Sequence, residues 1–228
     1  MQQHTLAQPS RKPSLPRWIE WILVLIVASV AVLSFVYTLQ SGAFGVSLAD
    51  NTQWSWFLVR SAGMVAYALL ALSMLWGLFL SSHVLKNWSP GPLTLLLHAA
   101  TSWLAVVLSI AHALLLLFDS YYTYTIQDIV IPFVGPYRPF AVGLGVIALW
   151  LTLVITVSFS LRKLIGHRTW LWLHYTSYGA FALITVHAML AGTDATQAGV
   201  RIILFAFGAA VFALFSWRVV KGLLEPAH

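Results

Sequence analysis

Long uninterrupted apolar runs are the feature of this sequence that most restricts how the chain can fold. A helix rises about 1.5 Å per residue, so about 20 apolar residues cross the hydrocarbon core of a bilayer. Six runs of roughly this length follow one another, at residues 18–39, 56–80, 93–118, 140–161, 170–191 and 200–220. Inside a bilayer every backbone polar group must be paired, which favours helices. The sequence therefore predicts an all-α, polytopic membrane bundle of six transmembrane helices within residues 18–221.

The composition supports lipid as part of the solvent. Only 8% of the residues are charged and 60% are hydrophobic, whereas a soluble domain carries roughly 25% charged residues. The formal net charge is +6, but the cations lie between apolar runs and form no patch, so nucleic acid is not an expected partner. The chain has no Cys, which excludes disulfides, cysteine-ligated clusters and haem attachment through C-x-x-C-H.

The distribution of Lys and Arg predicts the orientation, because cytoplasmic segments carry an excess of cations. With a cytoplasmic N-terminus, the cytoplasmic cations are Arg11, Lys12, Arg17, Lys86, Arg162, Lys163, Arg168, Arg218 and Lys221. The outer cations are Arg60, Arg138 and Arg201. This bias predicts that both termini are cytoplasmic, with residues 1–17 as a disordered tail and residues 222–228 as a short one.

Four of the eight histidines lie inside predicted spans: His98 and His112 in the third, His174 and His187 in the fifth. An ionisable residue within a membrane span is costly and usually functional. Both spans run from the cytoplasm outward. The spacings of 14 and 13 residues correspond to about 21 and 20 Å along a helix. The two helices thus offer one histidine each at two depths, His98 with His174 toward the cytoplasm and His112 with His187 toward the outside.

The direction in which these side chains point is less regular than their depth. At about 100° per residue, 14 residues return to within roughly 40° of the same face, whereas 13 residues miss it by roughly 140°. A straight fifth helix would not aim both of its histidines the same way. We expect a kink, a tilt, or an approach to the two levels from different sides.

Imidazole is a good iron ligand, and two imidazoles occupy both axial positions of a haem and leave no open site. A zinc ion would need three or four ligands at one point, and a proton relay usually includes carboxylates, of which the spans hold only Glu20. The sequence therefore predicts two b-type haems. His98 and His174 would hold the inner iron, and His112 and His187 the outer one. The expected activity is electron transfer.

Two further residues are candidates for the same site, each with an alternative. Arg60 lies near the outer end of the second run, where a guanidinium can bind a haem propionate or extend to the membrane interface. Phe181 lies midway between His174 and His187. It lies either between the two haems or in an ordinary apolar environment.

Across residues 54–220 the chain resembles the ferric reductase-like transmembrane domain superfamily. That group includes NADPH oxidases, ferric reductases and the membrane haem subunit of bacterial methionine-sulfoxide reductase. The resemblance is carried by the four histidines with their spacings and by three short stretches. These stretches are Arg60-Ser61-Ala62-Gly63, Trp172-Leu173-His174-Tyr175 and Ala191-Gly192-Thr193-Asp194, and the segment 132–139 also looks like bacterial members.

The resemblance implies that reduced flavin on the cytoplasmic side passes electrons to the inner haem and that the outer haem reduces an acceptor outside. Oxidases and ferric reductases usually continue into a cytoplasmic FAD and NAD(P)H domain, whereas this sequence stops at His228. A separate flavoprotein or a quinol is therefore the expected donor. The expected electron acceptor is a molecule or partner protein on the outer side of the membrane. The expected location is a bacterial inner membrane.

Two other functions stay open at this point. One is a stand-alone reductase that hands electrons directly to oxygen or ferric iron. The other is a transporter or structural membrane subunit without a cofactor. Transporters often have interrupted helices at the bilayer midplane, whereas the apolar runs here are continuous, which favours the redox functions.

Overall fold

The computed structural model describes residues 54–82 and 91–224, and within these ranges the secondary structure is helical, without strands. All of the described residues belong to one unit of the chain, residues 50–228. The helices are α1 (Trp54–Ser82), α2 (Gly91–Leu115), the short α3 (Ile126–Val130), α4 (Pro139–Ile165), α5 (His167–Ala191) and α6 (Ala198–Leu224). Two 3₁₀ turns, Leu116–Phe118 and Thr193–Thr196, follow α2 and α5. The predicted first span, 18–39, lies outside the described residues, as does the predicted N-terminal tail.

Within residues 54–82 and 91–224, four helical segments are long and apolar enough to cross a membrane: Trp54–Ser81, Gly91–Phe118, Pro139–Ile165 and Ala198–Leu224. Large apolar side chains on them face outward, such as Ile202 and Phe212, which are 66% and 72% exposed. Water would not tolerate so much continuous apolar surface, and lipid would. These helices indicate a multi-pass membrane protein. The prediction of an all-helical membrane bundle is thus confirmed for the described residues, whereas the number of spans is part of the proposal below.

Helix α5 corresponds to the predicted fifth span but is not among these four segments. It is 25 residues long, which is sufficient for a crossing. Its sequence contains His167, Arg168, His174 and His187 together with several hydroxyl side chains. These polar groups lower its hydropathy, and two of them, His174 and His187, belong to the candidate site.

The long helices pack as two hairpins of sequence neighbours. Helix α1 packs along α2, and α4 packs along α5, whereas contacts between the two hairpins are few. Helix α6 contacts both α1 and α5. A single residue, Gly166, separates α4 from α5, and its φ of +82° is a backbone conformation that favours glycine. The reversal at Gly166 lets α5 fold back beside α4 at once.

A buried cluster lies where α1, α5 and α6 meet. Its members are Tyr67, Ala71, Met74, Leu78, Phe181, Leu204 and Val211. The hydroxyl of Tyr67 donates a hydrogen bond to the carbonyl of Leu204, with 3.0 Å between the oxygens. This cluster holds α5 against α1 at a level between the two histidine positions of α5.

Candidate functional site

The structure brings the four histidines of the predicted spans together in the two predicted pairs, named here by their predicted depth: His98 with His174 is the inner pair, and His112 with His187 is the outer pair. The ring centres of His98 and His174 are 6.0 Å apart, with the ring planes at 81°. Those of His112 and His187 are 6.2 Å apart, at 79°. Each pair takes one ring from α2 and one from α5, so each pair joins the two hairpins. Both pairs form although α5 is continuous from His167 to Ala191, so its two histidines reach their partners from different faces of the helix.

These separations fit an ion held between two imidazoles. A bond of about 2 Å from a metal to each nitrogen, plus about 1.1 Å from nitrogen to ring centre, puts the centres roughly 6 Å apart. No group of three or more His, Asp or Glu residues in the described part of the chain is placed to hold a metal ion by itself. Each pair thus offers two imidazoles at a separation that would suit an ion between them, and any further ligands would have to come from a bound group such as a porphyrin.

The rings of His98, His112 and His187 are each held by a hydrogen bond to a backbone carbonyl on a neighbouring helix. The Nδ1 atom of His98 lies 2.8 Å from the Ser73 carbonyl oxygen, and that of His112 lies 2.7 Å from the Val59 oxygen. A carbonyl only accepts, so Nδ1 carries the proton and a neutral ring keeps its free lone pair on Nε2. Metal-ligating histidines commonly donate their second ring nitrogen in this way.

The α5 side of the outer pair is held in the same manner, and the α5 side of the inner pair is held differently. His187 Nδ1 lies 2.8 Å from the Ala141 carbonyl oxygen in α4. The ring of His174 is instead stacked on the indole of Trp170, with 5.1 Å between ring centres. The two pairs thus have similar ring distances and plane angles. They differ in that His174 is oriented by the indole of Trp170, whereas the other three rings are oriented by backbone carbonyls.

A cavity of about 650 Å³ adjoins the outer pair. His112 and His187 line it together with Gly63 and Gly145, and its mouth includes Tyr122 and Tyr137 of the α2–α4 connection. This volume lies within the range of about 300–1,000 Å³ that small-molecule and cofactor sites occupy. The outer histidines thus face a space of the size that a bound cofactor requires.

The predicted propionate ligand, Arg60, lines this cavity but has a protein partner. Its guanidinium forms an ion pair with Asp194, in which Nε donates to a carboxylate oxygen at 2.6 Å. Its Cζ also lies 3.8 Å from the ring centre of Trp56. Asp194 lies just beyond the C-terminal end of α5, so the ion pair fixes the outer end of α5 to α1.

Phe181, which the sequence placed between the two levels, is buried at 5% exposure. Its ring is stacked on Tyr67 of α1, with 5.6 Å between centres and 18° between planes. No local sequence pattern indicates Tyr67 as its partner, because the two residues lie on helices far apart in the chain. His167 is exposed at the start of α5, as expected for a histidine outside the site.

The fold and site define an all-helical, membrane-type bundle with two interhelical histidine pairs. The chain belongs to the family described as Domain of unknown function (DUF8596), whose model matches residues 54–194. The matched segment extends from the start of α1 to Asp194 and includes all four paired histidines. No curated protein matches the chain, and no solved structure matches it.

Proposed function

We propose that this protein is a di-haem b-type membrane cytochrome of the ferric reductase-like kind, the electron-transfer subunit of an oxidoreductase. The observation that supports it best is the pair of matched histidine contacts, 6.0 and 6.2 Å between ring centres with nearly perpendicular planes. Four histidines on two helices, paired at two depths in an apolar bundle, are costly in a membrane without a function.

The residues present fit haem better than a metal ion bound by protein alone. Each site offers two imidazoles, which is the axial requirement of a haem iron, and no third protein ligand is placed nearby in the described ranges. A haem with two axial imidazoles changes oxidation state with little change in geometry, and this is the chemistry of electron transfer. The chain would hold each haem through two imidazoles, those of His98 and His174 or those of His112 and His187, and these rings would keep other ligands away from the iron.

The orientation of each imidazole is the protein's second contribution. The carbonyls of Ser73, Val59 and Ala141 accept from Nδ1 and so leave Nε2 as the ring nitrogen available to a metal ion. Such hydrogen bonds raise the basicity of the ligand and set the properties of the bound iron. The buried Tyr67–Phe181 stack lies at a depth between the pairs and keeps water out of that region.

The direction of transfer is the one that the resemblance to the ferric reductase-like superfamily implies, combined with the predicted orientation of the chain. The two histidine positions on α2 are about 21 Å apart along the axis, which is most of the roughly 30 Å hydrocarbon thickness. In this proposal α5 also spans the membrane, as one of six spans with both termini in the cytoplasm. Electrons enter at the His98–His174 level from a separate flavoprotein or quinol and leave at the His112–His187 level toward an outer acceptor.

The test is a reduced-minus-oxidised visible spectrum of the detergent-purified protein, with haem quantified against protein. We expect about two b-type haems per chain with sharp low-spin bands. Replacing either member of one pair by alanine removes the haem of that pair and keeps the other reducible. His167→Gln is the control, because it leaves all four paired imidazoles in place, and it should keep both haems although it removes a ring that packs on Trp170, with 5.7 Å between ring centres. A colourless protein from cells supplied with ample haem would overturn the proposal.

A further inference from the structure

Three of the four paired histidines lie against a glycine, and each glycine occupies the same place relative to the hydrogen bond of its histidine. His112 bonds the carbonyl of Val59 and lies against Gly63. His98 bonds that of Ser73 and lies against Gly77. In α4 the corresponding residues are Ala141, the acceptor of His187, and Gly145. In each case the glycine comes four residues after the accepting carbonyl.

This spacing has a simple physical reason. In an α-helix the carbonyl of residue i points toward residue i+4, whose Cβ is tilted back over the preceding turn. A side chain there covers the oxygen of residue i from the side. With glycine at i+4, the second lone pair of that oxygen is open to a donor from another helix. The glycine thus makes room for an imidazole ring and exposes the carbonyl that orients it.

The room available is small. A Cβ added at Gly63 would lie 2.8 Å from Nδ1 of His112, and one at Gly145 would lie 2.7 Å from Nδ1 of His187. At both positions the three nearest heavy atoms belong to the histidine ring. A Cβ at Gly77 would lie 3.2 Å from Cε1 of His98, which is tight but less severe. Alanine is therefore incompatible with the observed ring position at Gly63 and Gly145 and strained at Gly77.

The register of the hairpins explains why the arrangement recurs. Gly63 and Gly77 are 14 residues apart, as are His98 and His112, so two antiparallel helices bring both glycines opposite histidines. Helices α4 and α5 are also antiparallel, with Gly145 opposite His187. Thirteen residues back along α5 from His187 is His174, and thirteen residues forward along α4 from Gly145 is Ser158. Ser158 is therefore the residue expected opposite His174. Ser158 is buried, 5% exposed. The fourth position therefore also carries a small residue.

We infer that Gly63, Gly77 and Gly145 are positioning residues for the metal-binding histidines: each admits an imidazole to a backbone carbonyl and thereby fixes the direction of its Nε2. This inference rests on the proposed function for what the histidines bind. Its steric basis, the close fit between glycine and ring, stands independently. Gly63 and Gly145 contact histidines of the outer pair, and Gly77 contacts a histidine of the inner pair. Substitutions of the first two should therefore affect the outer site, and a substitution of Gly77 should affect the inner site.

The experiment compares Gly63→Ala, Gly77→Ala and Gly145→Ala with Gly179→Ala. Gly179 is a helical glycine of α5 for which an added Cβ meets nothing within 4 Å among the described residues. Haem per protein and the low-spin ferric electron paramagnetic resonance spectrum are recorded for each. We expect Gly63→Ala and Gly145→Ala to retain about one haem per chain, both missing the outer signal. Gly77→Ala shifts the inner signal and lowers its occupancy less, and Gly179→Ala matches the wild type.

A double variant separates positioning from general helix damage. In a His112→Ala background the ring that meets Gly63 is gone, so Gly63→Ala should no longer lower the thermal unfolding midpoint and, because alanine is the better helix former, should raise it. The inference would be overturned if Gly63→Ala lowers the thermal unfolding midpoint by the same amount with and without the His112 ring. It would also be overturned by alanine variants that keep both haem signals unchanged. A wild type with two haems and unaffected glycine variants would leave the proposed function standing, whereas a wild type without haem would remove both.

Discussion

The indole of Trp170 stacks on the imidazole of His174, with ring centres 5.1 Å apart and planes 24° apart. The two residues are one helical turn apart on α5, where side chains four positions apart meet on one face. His174 is therefore oriented from within its own helix, whereas the other three paired histidines are oriented from a neighbouring one.

Replacing Trp170 by Leu should loosen the inner site. The variant removes the flat surface that fixes the plane of His174, so we expect a broadened or shifted inner low-spin signal and lower inner haem occupancy, with the outer signal unchanged. Trp172→Leu is the control, because Trp172 is 75% exposed and lies two residues away on another face. Equal effects of the two substitutions, measured as haem content and paramagnetic resonance spectra, would contradict this role of Trp170.

The Arg60–Asp194 ion pair should contribute to stability more than a surface pair does, because its side chains are only 23% and 13% exposed. Asp194→Asn leaves the guanidinium without its carboxylate, and we expect a loss on the order of 1–2 kcal/mol in the free energy of unfolding. Arg60→Gln should cost a similar amount. Denaturant unfolding in detergent measures both, with Arg201→Gln, an exposed arginine of α6, as the control.

The same two variants distinguish the ion pair from a propionate contact. If Arg60 also binds a propionate, Arg60→Gln lowers outer haem occupancy and Asp194→Asn does not. If the ion pair acts only by holding α5 to α1, the two variants change haem content equally or not at all. Haem quantification on the unfolding samples decides between these outcomes.

Phe181 should be the most costly apolar side chain to remove near the centre of the bundle. Phe181→Ala leaves a cavity against Tyr67, and substitutions of this kind typically cost about 3–5 kcal/mol. Phe205→Ala on α6 removes the same atoms from a position that is 57% exposed, so its effect should be below about 1 kcal/mol. Unfolding midpoints that fall equally for both variants would show that Phe181 is not part of a packed core.

Alkaline titration should detect Tyr124 in the connection between α2 and α4. Burial of its phenol, reinforced by the nearby Asp119, Tyr137 and Asp128, raises its pKa from 10.0 to about 12. Because the folded pKa lies above the unfolded one, its stabilising contribution is complete below pH 10 and is lost as the pH rises through 12. We expect Tyr124→Phe to reduce the late phenolate absorbance by about one tyrosine equivalent. A titration curve unchanged in that variant would contradict the assignment.

Which histidine of α2 lies beside which histidine of α5 could be predicted from sequence because helical rise is nearly constant, so a spacing of 14 or 13 residues translates directly into distance along the helix. The long helices were also predictable, with ends that differ by a few residues. Helix α4, for example, was expected over 140–161 and extends over Pro139–Ile165, because a helix continues through Arg162 and Lys163 once it has left the apolar region.

The contacts that depend on three-dimensional register could not be predicted in this way. Arg60 and Asp194 are 134 residues apart, and no local pattern connects them. The spacing of 14 residues between Gly63 and Gly77 equals that between His98 and His112. This match predicts contacts between the glycines and the histidines only when α1 and α2 are known to be antiparallel neighbours. The 13-residue spacing on α5 predicted an awkward geometry, and the structure accommodates it by letting different helices orient His174 and His187.

The division into two hairpins has a consequence for biogenesis. Each hairpin packs closely within itself and makes few contacts with the other. Each can therefore insert into the bilayer as a pair of helices before the two hairpins associate. His98 and His112 belong to one hairpin and His174 and His187 to the other. On the proposed function, iron porphyrin held between the histidine pairs would add a further link between the two hairpins, beside the Tyr67–Phe181 stack and the Arg60–Asp194 ion pair. In cells starved of haem the two hairpins should be joined more loosely, and the chain should be degraded by membrane proteases faster than the loaded protein.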